Sequence, residues 1–154
     1  MKFDREPTEW CEAAEMLVRY HWRKACLDSV PLEEYSSHVI EMWYETGHWD
    51  ELCQAAMMSL LKRDMMDVVS ISHFLAGKQH DYGPRNILKF GTEGLRVRLW
   101  DKIARFGNLR KRGTDAKNEP LVDTFMDIIG YVVINDMLAY GWFELPVDVT
   151  KLDG

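Results

Sequence analysis

Cysteine is scarce in the 154-residue chain: Cys11, Cys26 and Cys53 are an odd number at wide spacing. That excludes a disulfide framework and the CxxC pairs that chelate zinc or exchange disulfides, and the three read as reduced core residues. No stretch approaches the roughly 20 consecutive apolar residues that a membrane span needs. The opening residues Met1-Lys2-Phe3-Asp4-Arg5-Glu6 lack the apolar segment of a secretory signal, so a cytoplasmic protein with no membrane partner is expected. The HExxH pair, the GxSxG elbow and the Walker A loop are missing as well. The histidines His21, His38, His48, His73 and His80 show no compact ligand spacing, so neither zinc nor P-loop chemistry is expected.

What is present is apolar surface: 47% hydrophobic residues with 12% aromatics are enough for a real core, and the length suits one domain spanning 1–154. A net charge of −6 and a pI near 5.4 disfavour general binding to nucleic acid, which depends on neutralising phosphates. The average conceals an asymmetry. Residues 78–112 hold ten basic side chains against three acids, Asp81, Glu93 and Asp101. A local positive field on an acidic protein suits a small, highly charged anion better than a long polymer, which would be repelled outside the patch. A solvated helix face is the plainer reading of the same run.

Pro7 is placed to open a helix, and Trp10, Ala14, Leu17, His21 and Ala25 recur at helical spacing, which predicts an amphipathic helix over 7–28. A second helix is expected over 33–46, stopped by Gly47. Residues 49–79 read as one long helix or two, bending near Lys62-Arg63-Asp64. The turn Gln79-His80-Asp81-Tyr82-Gly83-Pro84 blocks any continuation, and Gly91 and Gly94 bracket another break. Helices over 95–112 and 119–140 follow, joined by a loop over 113–118. The prediction is an all-α compact helical bundle, with no recognised motif in residues 1–74 and the candidate site in 75–140.

Two stripes carry the chemistry. Arg98, Asp101, Lys102 and Arg105 form a second stripe on the helix whose core positions are Leu95, Leu99, Ile103 and Phe106. In the last helix, Glu119, Asp123, Asp127, Tyr131 and Asn135 recur every fourth residue on a segment apolar on nearly every side. Carboxylates there require protonation, cationic partners or a metal ion. A short loop makes the two helices antiparallel neighbours, so Arg98, Lys102 and Arg105 are expected to face Asp123 and Asp127. One reading is an internal salt-bridge network. The other places Mg²⁺, with Mn²⁺ as its substitute, on Asp101, Glu119, Asp123 and Asp127, with Glu119 or Asp123 as the catalytic base. Lys78, Arg85, Arg98, Lys102 and Arg105 would then hold phosphates, while His80, Tyr82 and Tyr131 contact the nucleotide. The run Glu9, Glu12 and Glu15 reads as solvent-facing acids at a helix N-terminus.

The segments Tyr82-Gly83-Pro84, Phe90-Gly91, 98–105 (RLWDKIAR), Asn118-Glu119 and 123–131 (DTFMDIIGY) resemble the nucleotide-modification-associated domain of phage and bacterial proteins, over about residues 75–140. More distantly the pattern is similar to the all-α MazG-like nucleoside triphosphate pyrophosphatases. That resemblance implies Mg²⁺-dependent cleavage of nucleoside triphosphates to monophosphate and pyrophosphate, in the host cytoplasm where the gene is a phage's. The chain differs from the paired ExxE and ExxD helices of those enzymes, since Arg98 stands three residues before Asp101 and Glu119 four before Asp123. The expectation is thus a Mg²⁺-dependent nucleotide-binding protein with pyrophosphohydrolase activity as its enzymatic form. The alternative is a non-catalytic phage interaction protein that binds a host or DNA-modification enzyme. Homo-oligomerisation is left open by the sequence.

Overall fold

The first helix begins where a carboxylate satisfies its leading amides. The Glu9 side chain accepts the backbone N–H groups of Cys11 and Glu12 at 2.9 and 2.5 Å, and Glu12 accepts that of Thr8 at 2.8 Å. Helix α1 is therefore Trp10–Asp28, starting three residues after Pro7 rather than at it. Residues 2–113 and 121–152 are described in this computed structural model. Within them follow α2 (Ser37–Glu45), α3 (Trp49–Lys62), α4 (Val68–Tyr82), α5 (Arg85–Arg112) and α6 (Leu121–Tyr140), without a strand among the described residues. The all-α bundle read from the sequence is the fold.

Element boundaries differ from the expected ones for local reasons. The second helix starts at Ser37 because Leu32–Glu34 forms a 3₁₀ turn and the Ser36 hydroxyl caps Val39 N–H at 3.2 Å. Glu33 is held there by Ser59 and by Arg63 at 2.8 Å. The long segment after Trp49 is two helices, parted at the bend near Arg63 and Asp64, where Asp64 takes φ 58°. Helix α4 runs on to Tyr82, because nothing before Gly83 breaks it. Gly91, at φ 57° and ψ −139°, kinks α5, a conformation that a side chain would disfavour. Gly94 stays helical, and a Cβ there would stand 2.9 Å from Cβ of Phe90.

Helix α6 is the centre of the bundle, packed against α1, α3 and α5, while α1 also packs on α3 and α4. Along its length Phe125, Ile128, Ile129, Val132, Val133 and Met137 are buried, and Asp123, Ala139 and Tyr140 are the exposed positions. Leu95, Leu99, Ile103 and Phe106 of α5 are buried as their spacing predicts. Of the cysteines, Cys11 and Cys53 are core residues, but Cys26 is exposed, which corrects that reading: it lies on the solvent side of α1. No helix among the described residues is long and apolar enough to cross a membrane.

The segment after α6 folds back onto the start of α1. Trp10 donates its indole N–H to Phe143 O at 3.1 Å and its backbone N–H to Pro146 O at 2.8 Å, and Trp142 donates to Glu6 at 2.9 Å. Lys151 reaches Glu9 at 2.6 Å. Burial raises the Glu9 pKa, but Lys151 and the amides of Cys11, Glu12 and Asp148 outweigh it, leaving the carboxyl below the usual glutamate range. A lowered folded-state pKa stabilises above the ordinary glutamate range, and that contribution is lost as pH falls through the folded value. Glu9→Ala should therefore destabilise the protein at neutral pH by about 1–2 kcal/mol, as loss of a cap does. The difference from wild type in urea-unfolding midpoint should shrink as the solution is acidified.

Candidate functional site

A helix enclosed on most sides must supply each of its polar groups with a partner, and α6 draws them from three different helices. From α5, Arg105 donates to the fully buried Thr124 hydroxyl at 2.5 Å, and Thr92 donates to Asn135 Oδ1 at 2.8 Å. Asp127 is met on both oxygens: Lys78 of α4 stands 3.1 Å from Oδ1 and Lys102 of α5 stands 3.0 Å from Oδ2. From α1, His21 Nε2 lies 2.7 Å from Asp136 Oδ2.

Around Asp127 the helices α4, α5 and α6 leave a cleft of about 250 Å³. Leu75, Ile87, Met126 and Ile134 give it an apolar lining, and Lys78, Gln79, Asn86, Arg98, Asp127 and Tyr131 add polar groups. Tyr82 stands at its edge, 72% exposed. Lys78 also lies over the Phe74 ring at 4.7 Å, which fixes its stem beside the opening. Burial raises the Tyr131 pKa, Asp127 adds to the rise, and Lys102, Lys78 and Arg98 oppose it. The phenol therefore stays protonated, a hydrogen-bond donor at neutral pH. Arg98 lines the cleft and makes no ion pair among the described residues.

The expected residues are thus partly gathered. Lys78, Arg98, Tyr82, Tyr131 and Asp127 share the cleft, and Lys102 borders it through its ion pair. Arg105 sits about one turn further along α5, bound to Thr124. Arg85 and His80 are exposed and line no part of the cleft. Asp101 and Asp123 are exposed, and neither makes an ion pair among the described residues. Glu119 lies outside the described residues. The described members of the expected magnesium set do not converge: Asp127 is already neutralised by two lysines, and Asp101 and Asp123 stand apart from it in solvent. No step through a metal at these carboxylates follows from this geometry.

Glu9, Glu12 and Glu15 serve the fold. Glu9 caps α1, Glu12 pairs with Arg5 at 3.6 Å and Glu15 with Arg19 at 3.0 Å. A different group escaped the sequence reading. His21, Asp50 and Asp136, from α1, α3 and α6, bring one potential ligand atom each to within 4.8 Å of one another. The signal available was a histidine on the apolar face of α1. Its partners lie 29 and 115 positions away, beyond any local spacing.

Replacing Asp127 by Asn leaves two ammonium groups beside a neutral amide. Asp127→Asn should cost about 1–2 kcal/mol, less than the full penalty for breaking a buried pair because Lys78 keeps partial contact with water. Asp123→Asn, on an exposed position, should stay within about 0.5 kcal/mol of wild type. Urea denaturation of the two variants in parallel measures the contrast, and equal destabilisation would refute the assigned pairing.

No protein-family model matches the chain, and neither a curated protein nor a solved structure is detectably similar to it, so the functional reading rests on the chain's own residues.

Proposed function

We propose that the protein binds a nucleotide, or another small phosphorylated anion, in the cleft between α4, α5 and α6. The observation that carries this reading is that Lys78 and Arg98 line, and Lys102 borders, a cleft in which Asp127 is the one lining carboxylate among the described residues. Among the described lining residues, Lys78 and Arg98 stand against the one carboxylate Asp127, a positive surplus for phosphate oxygens. Arg98, which makes no ion pair among the described residues, offers a planar donor fork suited to them. Asp127 acts as the organiser that keeps two lysines on the cleft side of their helices. The apolar lining and the rings of Tyr82 and Tyr131 supply the surface that a base or sugar needs, and the volume falls near the lower end of ordinary small-molecule sites.

Magnesium, or manganese in its place, enters this reading as part of the nucleotide complex, held chiefly by phosphate oxygens as is usual for that ion. Hydrolysis of a nucleoside triphosphate to monophosphate and pyrophosphate is the narrower form of the proposal. A second reading, an interaction protein whose stripes are structural, is favoured by one observation: both oxygens of Asp127 are already ion-paired.

Calorimetric titration with a panel of nucleoside mono-, di- and triphosphates, with and without Mg²⁺, separates the readings. Saturable binding is expected, weakened about tenfold or more by Arg98→Ala, the loss of one charge-assisted phosphate contact. Pyrophosphate release in the same samples tests turnover. Absence of binding across the panel would leave the interaction protein. Binding indifferent to both Arg98→Ala and Lys78→Ala would remove the ligand from this cleft.

A further inference from the structure

We propose that His21, Asp50 and Asp136 form a binding site for a divalent transition-metal ion, separate from the phosphate cleft. Three helices meet to make it. His21 lies in the middle of α1, Asp50 in the first turn of α3 and Asp136 in the last part of α6. Their nearest ligand atoms all stand within 4.8 Å of one another. Ligands bonded at about 2.1 Å to a metal stand about 3–4 Å apart, so small side-chain rotations close this group onto an ion.

The donor set chooses the class of ion. Two carboxylates alone would suit magnesium or calcium, whereas an imidazole nitrogen beside them favours the first-row ions such as zinc, manganese, cobalt or iron. Three protein donors also leave coordination positions vacant. Asp50 and Asp136 border a hollow of about 420 Å³, where His48, Glu51, Thr92, Arg96 and Asn135 are the other polar side chains. Arg96 is held over the Trp49 ring at 5.2 Å, and Asn135 is tied to Thr92.

The imidazole is prepared for the role. His21 is completely buried, and its two nitrogens have different neighbours: Nε2 faces Asp136 at 2.7 Å, and Nδ1 faces the Gln54 amide at 3.2 Å. When Nε2 binds a metal its proton leaves and Nδ1 carries the remaining one. A turn of the Gln54 amide then presents its oxygen as acceptor, the kind of outer contact that fixes a ligating histidine.

Electrostatics supplies the demand for a cation. Asp50 and Asp136 are like charges at one site, and among the described residues Asp50 makes no ion pair. A divalent ion bound between them would offset both carboxylates.

Cobalt(II) serves as the probe, because protein-bound Co²⁺ of low coordination number absorbs in the visible and the aqueous ion barely does. Titration of the whole protein should reach saturation near one equivalent, with Zn²⁺ displacing the colour. Asp50→Asn, at an exposed position of the hollow, should weaken Co²⁺ binding at least tenfold while its far-UV circular dichroism stays that of wild type. In wild type, Zn²⁺ should shift the Nε2 resonance of His21 in nitrogen-15 spectra, which decides the matter even if the variant fails to fold. No saturable uptake, an unmoved His21 Nε2, or unchanged affinity in a folded Asp50→Asn protein would each overturn the proposal. Arg98→Ala should leave Co²⁺ binding intact, so this site and the phosphate cleft stand or fall separately.

Discussion

The structure depends on one constraint: α6 is enclosed by other helices, and any charge on it must be answered from outside. Hydration is limited along most of its length, so Thr124, Asp127, Asn135 and Asp136 recruit partners from neighbouring helices. Lys78, Lys102, Arg105, Thr92 and His21 are those partners. They draw α4, α5 and α1 into fixed rotation about α6, which hydrophobic packing alone leaves less specified. The apolar residues provide most of the driving force, and the polar pairs select one arrangement from those that bury similar area.

That same constraint separates two chemistries along α6. Near the middle of the helix, cations outnumber the carboxylate they neutralise, and the surplus faces a cleft. Toward its end, Asp136 joins Asp50 and a buried histidine, and there the carboxylates are in excess. Asp127 and Asp136 lie nine positions apart on one helix. One collects positive charge and the other awaits it. An acidic protein with a local basic run is the sequence-level trace of this division.

The fold was legible because its signals are local. Leu95, Leu99, Ile103 and Phe106 recur at helical spacing and are buried, and Gly83-Pro84 and Gly91 mark a break and a kink. Boundaries were less legible where side chains decide them: Glu9 rather than Pro7 sets the start of α1, and Ser36 that of α2. The pairing of Lys102 with Asp127 followed from two stripes on antiparallel neighbours. Lys78 as its second partner did not, since nothing local says that α4 approaches α6 there. Asp123 and Asp127 look equivalent in a four-residue repeat, yet the slow drift of that stripe leaves one in solvent and the other between two lysines. The His21 group was illegible because it exists only after α1, α3 and α6 have packed, and a histidine at a core position reads first as core.

Asp127 as organiser of a phosphate-binding cleft is the central claim. A crystal structure of the protein grown with a saturating nonhydrolysable nucleoside triphosphate and Mg²⁺ tests it most directly. Phosphate density within hydrogen-bonding distance of Arg98 and Lys78, with Asp127 still bridging Lys78 and Lys102, is the predicted result. A nucleotide bound elsewhere on the molecule, or an empty cleft at saturating ligand, would contradict it.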